Sequence, residues 1–361
     1  MSEMYNSATI LSYFYQPTLS TFVNGNNKNG ISKMTIRAFS FAALVAGSIA
    51  VGLPAFAQEH SFKVSIPGNE ESIAYQSVER FREVLAKQTS ASVDVQIFAN
   101  SALGDQESSL EAMQTGLLDM ATVETPITNI LPELGATALP YIFSGRDHVK
   151  AAIDGDAGKK IEEMLLAKGL RVVAFLEGGF RQITNGVRPI VTPDDLKGVK
   201  MRTPGSALRI KIFNHYGANA SPLPFSELYS ALQTGVFDGQ ENPVIWVKSQ
   251  RFYEVQDYLS LTNHLYTITY LLISEDKFQK LSNEQQEAVM QAGDAAEAYS
   301  IELGTKADAE IVTFLKDKGM NVNEADIPAF TQASTAIWTE WASEQPADAQ
   351  GLIDLIVAAR P

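Results

Sequence analysis

Cysteine is absent from the 361 residues of this chain, which excludes disulfides, thiolate metal sites and a cysteine nucleophile. Histidine is scarce, and 4 such residues are too few for a histidine-rich metal centre. Basic residues are also few. The chain has 28 lysines and arginines against 42 acidic residues, so its formal net charge is -14. Since phosphate binding needs a basic surface, we expect no nucleic-acid partner.

Catalytic motifs are missing as well. The sequence contains no phosphate-binding G-x-x-x-x-G-K-[ST] loop, no H-E-x-x-H pair and no G-x-S-x-G nucleophile elbow. The histidines at 60, 148, 215 and 264 are far apart along the chain. These absences predict a protein that is not an enzyme and uses no cofactor. A hydrolase whose catalytic groups meet only in space remains an alternative, because such groups are defined by geometry and not by order.

The N-terminal region has the pattern of an export signal. Residues 34–57 combine a positive charge at Arg37, an apolar run over Ala38–Val51 and the cleavage site Ala55-Phe56-Ala57. A membrane-spanning helix needs about 20 residues, and this run is shorter. We therefore predict that residues 1–33 are an upstream extension, that 34–57 is a signal peptide, and that the exported periplasmic protein begins at Gln58.

The remaining chain alternates strand and helix patterns. Apolar residues alternate with polar ones over 62–66 and 93–97 and recur at helical spacing over 74–85, an order that predicts an α/β fold with parallel strands. Residues 145–168 are typical of a helix and 171–176 of a strand, and the turn-rich stretch from Gly178-Gly179 onward predicts a loop or a crossing between domains. A capping box, Ser282-x-x-Gln285, opens a helical pattern that continues to about Lys318. At 1.5 Å per residue this predicts a helix of roughly 50 Å, long enough to run along two domains.

The most specific signal is a series of short motifs. They are GFRQITN at 179–185, DLKGVKMRTP at 195–204, FSELYSALQTG at 225–235, DGQENP at 238–243, FYEVQ at 252–256 and TNH at 262–264, preceded by LGD at 103–105 and ALPY at 138–141. In this order and spacing they resemble the substrate-binding proteins of tripartite ATP-independent periplasmic (TRAP) transporters, of the DctP type. The resemblance covers essentially the whole chain after the export signal.

The resemblance implies a periplasmic binding protein in which two α/β domains flank a ligand cleft and a long helix spans both lobes. Domain I would comprise 58–178 plus 268–307, and domain II 179–267 plus 308–361. The protein would capture a carboxylate-bearing small molecule (a dicarboxylate, hydroxy acid or sugar acid) and deliver it, as a monomer, to the membrane permease subunits. A periplasmic ligand sensor, or a hydrolase using the same cleft, is the alternative.

Three residues are expected to hold the carboxylate. An arginine fork can grip a carboxylate through two parallel hydrogen bonds, which lysine cannot do. Arg202 stands at the end of a predicted strand, just before Thr203-Pro204. The resemblance implies that Arg202 is the main clamp and that Arg181 and Asn242 assist it.

Other residues are expected to complete the cleft. The resemblance implies Phe225 as an aromatic wall, Glu124 as an acceptor for ligand hydroxyl groups and Gln106 as a further polar contact. For Trp246 and Tyr270 the sequence leaves cleft lining and core packing open. The chain departs from sialic-acid-binding members of the family at 66–69 and at Thr122, which favours a smaller acid.

Overall fold

The computed structural model describes residues 60–361, so the predicted extension (1–33) and signal peptide (34–57) lie outside the described residues. The strands are β1 (His60–Ser65), β2 (Val93–Phe98), β3 (Met120–Val123), β4 (Leu170–Asn185), β5 (Lys200–Thr203), β6 (Asn219–Pro222), β7 (Gly239–Pro243), β8 (Tyr258–Leu261), β9 (Tyr266–Ser274) and β10 (Asn321–Glu324). The α-helices are α1 (Ile73–Gln88), α2 (Gln106–Gln114), α3 (Arg146–Ile153), α4 (Asp156–Leu166), α5 (Ala207–His215), α6 (Leu228–Gln233), α7 (Val244–Ser249), α8 (Glu275–Phe278), α9 (Asn283–Asp317), α10 (Ile327–Glu344) and α11 (Ala347–Ala358). Short 3-10 helices cover Thr125–Asn129, Pro132–Ala138, Pro193–Leu196, Phe225–Glu227 and Phe252–Glu254.

The strands form a mixed sheet in the order β2-β1-β3-β9-β4-β7-β5-β6, with β8 paired to β4 and β10 paired to β8. The predicted α/β class is confirmed, and β1 pairs in parallel with both β2 and β3. In contrast to the parallel prediction, β9 runs antiparallel to β3 and β4, and β4 runs antiparallel to β7 and β8. We call β2, β1, β3 and β9 the first sheet half, and β7, β5, β6, β8 and β10 the second.

Strand β4 joins the two sheet halves. Its N-terminal part pairs with β9, and its C-terminal part from Arg181 pairs with β7 and β8. Of the two alternatives predicted from Gly178-Gly179, the loop is wrong, because these glycines form an irregularity inside a continuous strand and Gly179 has a φ of +99°. A residue without Cβ takes this left-handed conformation at little cost. The crossing between domains stays a prediction. The helical region predicted over 145–168 is confirmed and consists of two helices, α3 and α4.

Helix α9 confirms the predicted long helix. It contains 35 residues and begins at the capping box that Ser282 forms with Gln285. Its N-terminal turns pack with α1 and β4, whereas other turns contact α7 and β10 of the second sheet half. Val289 and Ala296 accordingly belong to the core beneath the first half, and Ile311 and Leu315 to the core of the second. Within residues 60–361, every helix is too short or too polar to cross a membrane.

The packing of α9 on β4 leaves no room for a side chain at Gly293. A Cβ at this position would lie 2.0 Å from the carbonyl oxygen of Val173. We expect Gly293→Ala to lower the free energy of unfolding by about 1–3 kcal/mol, because the backbone of β4 has to shift. Gly351→Ala in α11 is the matched control, since nothing lies within 4 Å of the added methyl group. It should raise stability by about 0.5–1 kcal/mol. Urea denaturation measures both, and a Gly293→Ala protein as stable as the natural one would contradict the expectation.

Candidate functional site

All the residues predicted to bind the ligand line one cavity of about 20 Å³ between the sheet halves. The full lining comprises Gln106, Glu124, Thr125, Pro126, Arg181, Arg202, Pro204, Phe225 and Asn242. The sheet explains why distant parts of the chain meet, because β4, β7 and β5 are neighbours and carry Arg181, Asn242 and Arg202. Glu124 directly follows β3 on the opposite side, and Gln106 opens α2.

Arg202 is a buried cation without an acidic partner. Its side chain is buried, and Nε and Nη2 donate to the carbonyl oxygen of Leu223 at 2.9 and 2.6 Å. Within residues 60–361 no carboxylate lies close enough to form an ion pair with it, whereas Arg181 and Arg209 both have one. Burial, assisted by the nearby charge of Arg181, lowers the pKa of Arg202 to about 9. An unpaired buried charge is costly, so this guanidinium favours the arrival of an anion.

Arg181 lies in the same cavity but its donors are engaged by the protein. Its Nε pairs with the carboxylate of Glu241, its Nη2 donates to Asn242 Oδ1 at 2.8 Å, and its Nη1 donates to Thr267 Oγ1 at 3.0 Å. The amide of Asn242 also donates to Gln240 Oε1 at 2.5 Å. In this arrangement Arg181 contributes positive charge and holds Asn242 in place beside the cavity.

Glu241 and Arg209 complete this buried network, and sequence reasoning missed both. Glu241 is fully buried, and its Oε2 lies 2.9 Å from Arg209 Nη1 and 3.2 Å from His264 Nε2. Burial alone would raise the pKa of Glu241, but the charges of Arg181 and Arg209 outweigh it and hold the pKa well below its usual range. Burial lowers the pKa of Arg209 to about 10. It also lowers the pKa of His264, against the opposing effect of Glu241.

Glu124 forms the opposite wall of the cavity. Its Oε1 accepts a hydrogen bond from Thr269 Oγ1 at 3.1 Å, and its Oε2 lies 3.9 Å from Arg181 Nη1. The backbone N–H of Glu124 donates to Gln106 Oε1 at 2.6 Å, so Gln106 positions this acid. Burial raises the pKa of Glu124, and the charge of Arg181 opposes the change. Because Glu124 lines the cavity, its carboxyl oxygens are within reach of polar groups placed there.

Electrostatically the site suits an anion. The three guanidinium groups of Arg181, Arg202 and Arg209 outnumber the carboxylates of Glu241 and Glu124, which leaves an excess of positive charge beside the cavity. Glu107 also acts on Arg202, but less than Glu241 does. The excess is local, because the whole chain is strongly acidic. Among residues 60–361 no group of three or more His, Cys, Asp or Glu side chains is placed to hold a metal ion.

Loops and helices attached to the two sheet halves contact one another near the cavity. The Asn69 amide donates to the Ser249 carbonyl oxygen at 2.8 Å, Thr128 Oγ1 donates to Ser206 Oγ at 3.3 Å, and Arg209 Nη2 donates to Thr125 Oγ1 at 3.3 Å. A volume of about 20 Å³ is room for about one water molecule. With these contacts formed, the cavity is too small for an organic acid.

Comparison with known proteins identifies the family. The model for DctP, bacterial extracellular solute-binding protein, family 7, matches residues 65–345. The chain belongs to this family. A solute-binding protein of Roseobacter denitrificans is 35% identical over 81% of this chain and 90% of its own length. The 2,3-diketo-L-gulonate-binding periplasmic protein of Escherichia coli is 31% identical over 83% of this chain and 92% of its own length.

Solved structures of TRAP solute-binding proteins share the fold. A TRAP periplasmic solute-binding protein from a Sulfitobacter species, with bound β-D-galacturonate, superposes with a TM-score of 0.80 at 28% identity, over 82% of this chain and 99% of the other. A Roseobacter denitrificans protein with bound L-galactonate gives a TM-score of 0.78 at 32% identity, over 83% of this chain and 99% of the other. This DctP protein is therefore a TRAP substrate-binding protein, as its motifs indicate.

Proposed function

We propose that this protein captures a sugar acid carrying a single carboxylate and delivers it to the membrane permease of a TRAP transporter. The observation that carries the proposal is the buried Arg202, which lines the cavity and has no acidic partner among residues 60–361. The relatives with bound galacturonate and galactonate support it.

Arg202 acts as the carboxylate clamp. Two of its nitrogens are held by the Leu223 carbonyl oxygen, which fixes the plane of the guanidinium, and Nη1 makes no hydrogen bond with the described part of the chain. A ligand carboxylate approaching that edge finds a preorganised cation in a site with little water. The attraction is stronger there than at the surface, because the local dielectric constant is low. Arg181 and Asn242 assist through charge and through their position beside the ligand.

The acidic wall selects for hydroxyl groups. Glu124 accepts hydrogen bonds from ligand hydroxyls and repels a second carboxylate brought close to it. Gln106 keeps Glu124 in place, and Phe225 covers the apolar face of the ligand. A cationic end opposed by an acidic wall suits a polyhydroxy monocarboxylate better than a dicarboxylate.

Closure is proposed to be a rotation of two lobes, residues 58–178 plus 268–307 against 179–267 plus 308–361. The irregular part of β4 at Glu177–Gly179 and the start of β9 lie at the lobe boundaries, and α9 runs along both. Burial of the ligand removes the Arg202–carboxylate pair from water and strengthens it. The closed monomer then docks on the permease and releases an unchanged ligand.

A thermal-shift and calorimetry panel tests this function. We expect D-galacturonate, L-galactonate or D-erythronate to raise the melting temperature of the exported protein, because a ligand that binds only the folded state stabilises it. Succinate should stabilise less, and neutral galactose, the control, should not stabilise at all. Mass spectrometry of the recovered ligand should find it intact. Stabilisation by no acid would refute the proposal, and a converted ligand would favour a hydrolase.

A further inference from the structure

Trp246 is buried at the contact between the two sheet halves. It belongs to α7 and is 4% exposed. Gly68 lies opposite, in the loop that follows β1, and a Cβ at Gly68 would come within 2.5 Å of Trp246 Cζ3. The indole therefore rests directly against the Gly68 backbone, in a space that exists only because residue 68 has no side chain.

Trp246 also packs against a residue that lines the cavity. Its ring meets the Phe225 ring edge-on, with centroids 5.0 Å apart and an interplanar angle of 72°. Phe225 lines the cavity, and its ring centroid lies 5.9 Å from Arg202 Cζ. Trp246 thus packs against the aromatic wall without itself lining the cavity.

We propose that Trp246 is a positioning residue that sets the size of the acid the cleft accepts. With the indole wedged between Gly68 and Phe225, the Phe225 ring cannot retreat, and the aromatic wall stays close to Arg202. Truncation of Trp246 would leave a space into which Phe225 could move, because a packed interior collapses only partly around a lost side chain. The cavity would then lengthen on that side. This inference rests on the proposed function, since it concerns the acid held by Arg202.

The test compares two probes of different size. Dissociation constants for D-erythronate and for sialic acid are measured by calorimetry on the natural protein and on Trp246→Ala. We expect the ratio of the two constants to shift by about tenfold or more toward sialic acid in the variant, since pocket size discriminates ligands by that order. Trp246→Phe keeps an aromatic ring against Phe225 and should retain most of the natural ratio.

Two further variants separate size selection from general damage. Gly68→Ala places a methyl group where the indole packs, so it should impede closure and weaken both probes equally, with an unchanged ratio. Trp338→Ala is the matched tryptophan control, because Trp338 packs elsewhere and donates to the Pro140 carbonyl oxygen. It should leave the ratio unchanged.

The test distinguishes failure of the size-setting role from failure of the proposed function. If the natural protein binds neither probe nor the other sugar acids, the proposed function fails. If it binds D-erythronate but Trp246→Ala changes both affinities equally, the size-setting role is overturned while the function stands. Should Trp246→Ala not fold, as judged by circular dichroism, Trp246→Leu decides, because it retains an apolar side chain and still frees space behind Phe225. An unchanged ratio in that variant would overturn the inference.

Discussion

Arg202→Met is expected to weaken sugar-acid binding by about two to four decades and to leave the ligand-free protein no less stable. Removing one partner of a buried charge pair costs about 3–5 kcal/mol, because the ligand carboxylate would enter a dry cavity without its counter-ion. Methionine retains an unbranched side chain of similar reach, so the change removes charge and hydrogen bonds more than volume.

Stability should behave differently from affinity at this position. Arg202 is 2% exposed, and its guanidinium has no carboxylate partner among residues 60–361. Burial, with the charge of Arg181, lowers its pKa to about 9. The charged form of Arg202 is therefore less favourable in the folded protein than in water. Replacing it by an apolar side chain therefore relieves a cost in the ligand-free state. We expect an unfolding free energy equal to or above that of the natural protein.

Calorimetry with D-galacturonate and urea denaturation without ligand measure the two effects. Arg202→Lys is the matched control, because it keeps the charge and loses the planar fork, and it should fall between the natural protein and Arg202→Met in affinity. An affinity within tenfold of the natural value in Arg202→Met would contradict the clamp role. So would a large loss of stability, which would mark the residue as structural.

The family resemblance predicted residues that line the cavity, but it did not predict Arg209 and Glu241, the charged residues of the buried network. Arg209 carried a signal that could have been used, because it precedes Ile212 and Phe213 by three and four residues and so shares the apolar face of α5 with them. A charged residue on such a face needs a buried partner. Glu241 carried no comparable signal, since every residue of β7 is buried and the strand shows no alternation.

Local patterns predicted elements whose determinants are close in sequence. The capping box and the periodicity of α9 are local, and the predicted helix ends within a residue of the observed one. The course of β4 depends instead on partners far along the chain, namely β7, β8 and β9. Gly178 and Gly179 are typical of a turn when considered alone, but pairing with the neighbouring strands keeps both glycines within one strand, with an irregularity at Gly179. Pairing of β4 with strands far along the chain, which the local sequence does not indicate, determined the structure there.

The second large effect is expected at Glu241. Its carboxylate is fully buried and contacts Arg181, Arg209 and His264. Glu241→Gln keeps the size of the side chain and removes the charge, which leaves two buried guanidinium groups without their main partner. Breaking a buried ion pair in this way costs about 3–5 kcal/mol. We therefore expect urea denaturation at neutral pH to show a loss of that order in the ligand-free protein, the opposite of the result at Arg202.

The dependence on pH provides an independent check. The two arginines hold the pKa of Glu241 below its ordinary value of 4.5 even though burial opposes them, so the unfolded state takes up a proton at a higher pH than the folded state. The stabilisation is therefore complete above the ordinary pKa and is lost as the pH falls below it. The difference in stability between the natural protein and Glu241→Gln should accordingly shrink when the pH is lowered from 7 toward about 4 and below.

A surface acid gives the matched control for this prediction. Glu302 pairs with Lys306 on the exposed face of α9, one helical turn away. Glu302→Gln should leave stability nearly unchanged at either pH, because exposed ion pairs contribute little. If Glu241→Gln were as stable as Glu302→Gln at neutral pH, the buried network would not be holding β4, β7 and α5 together beside the cavity.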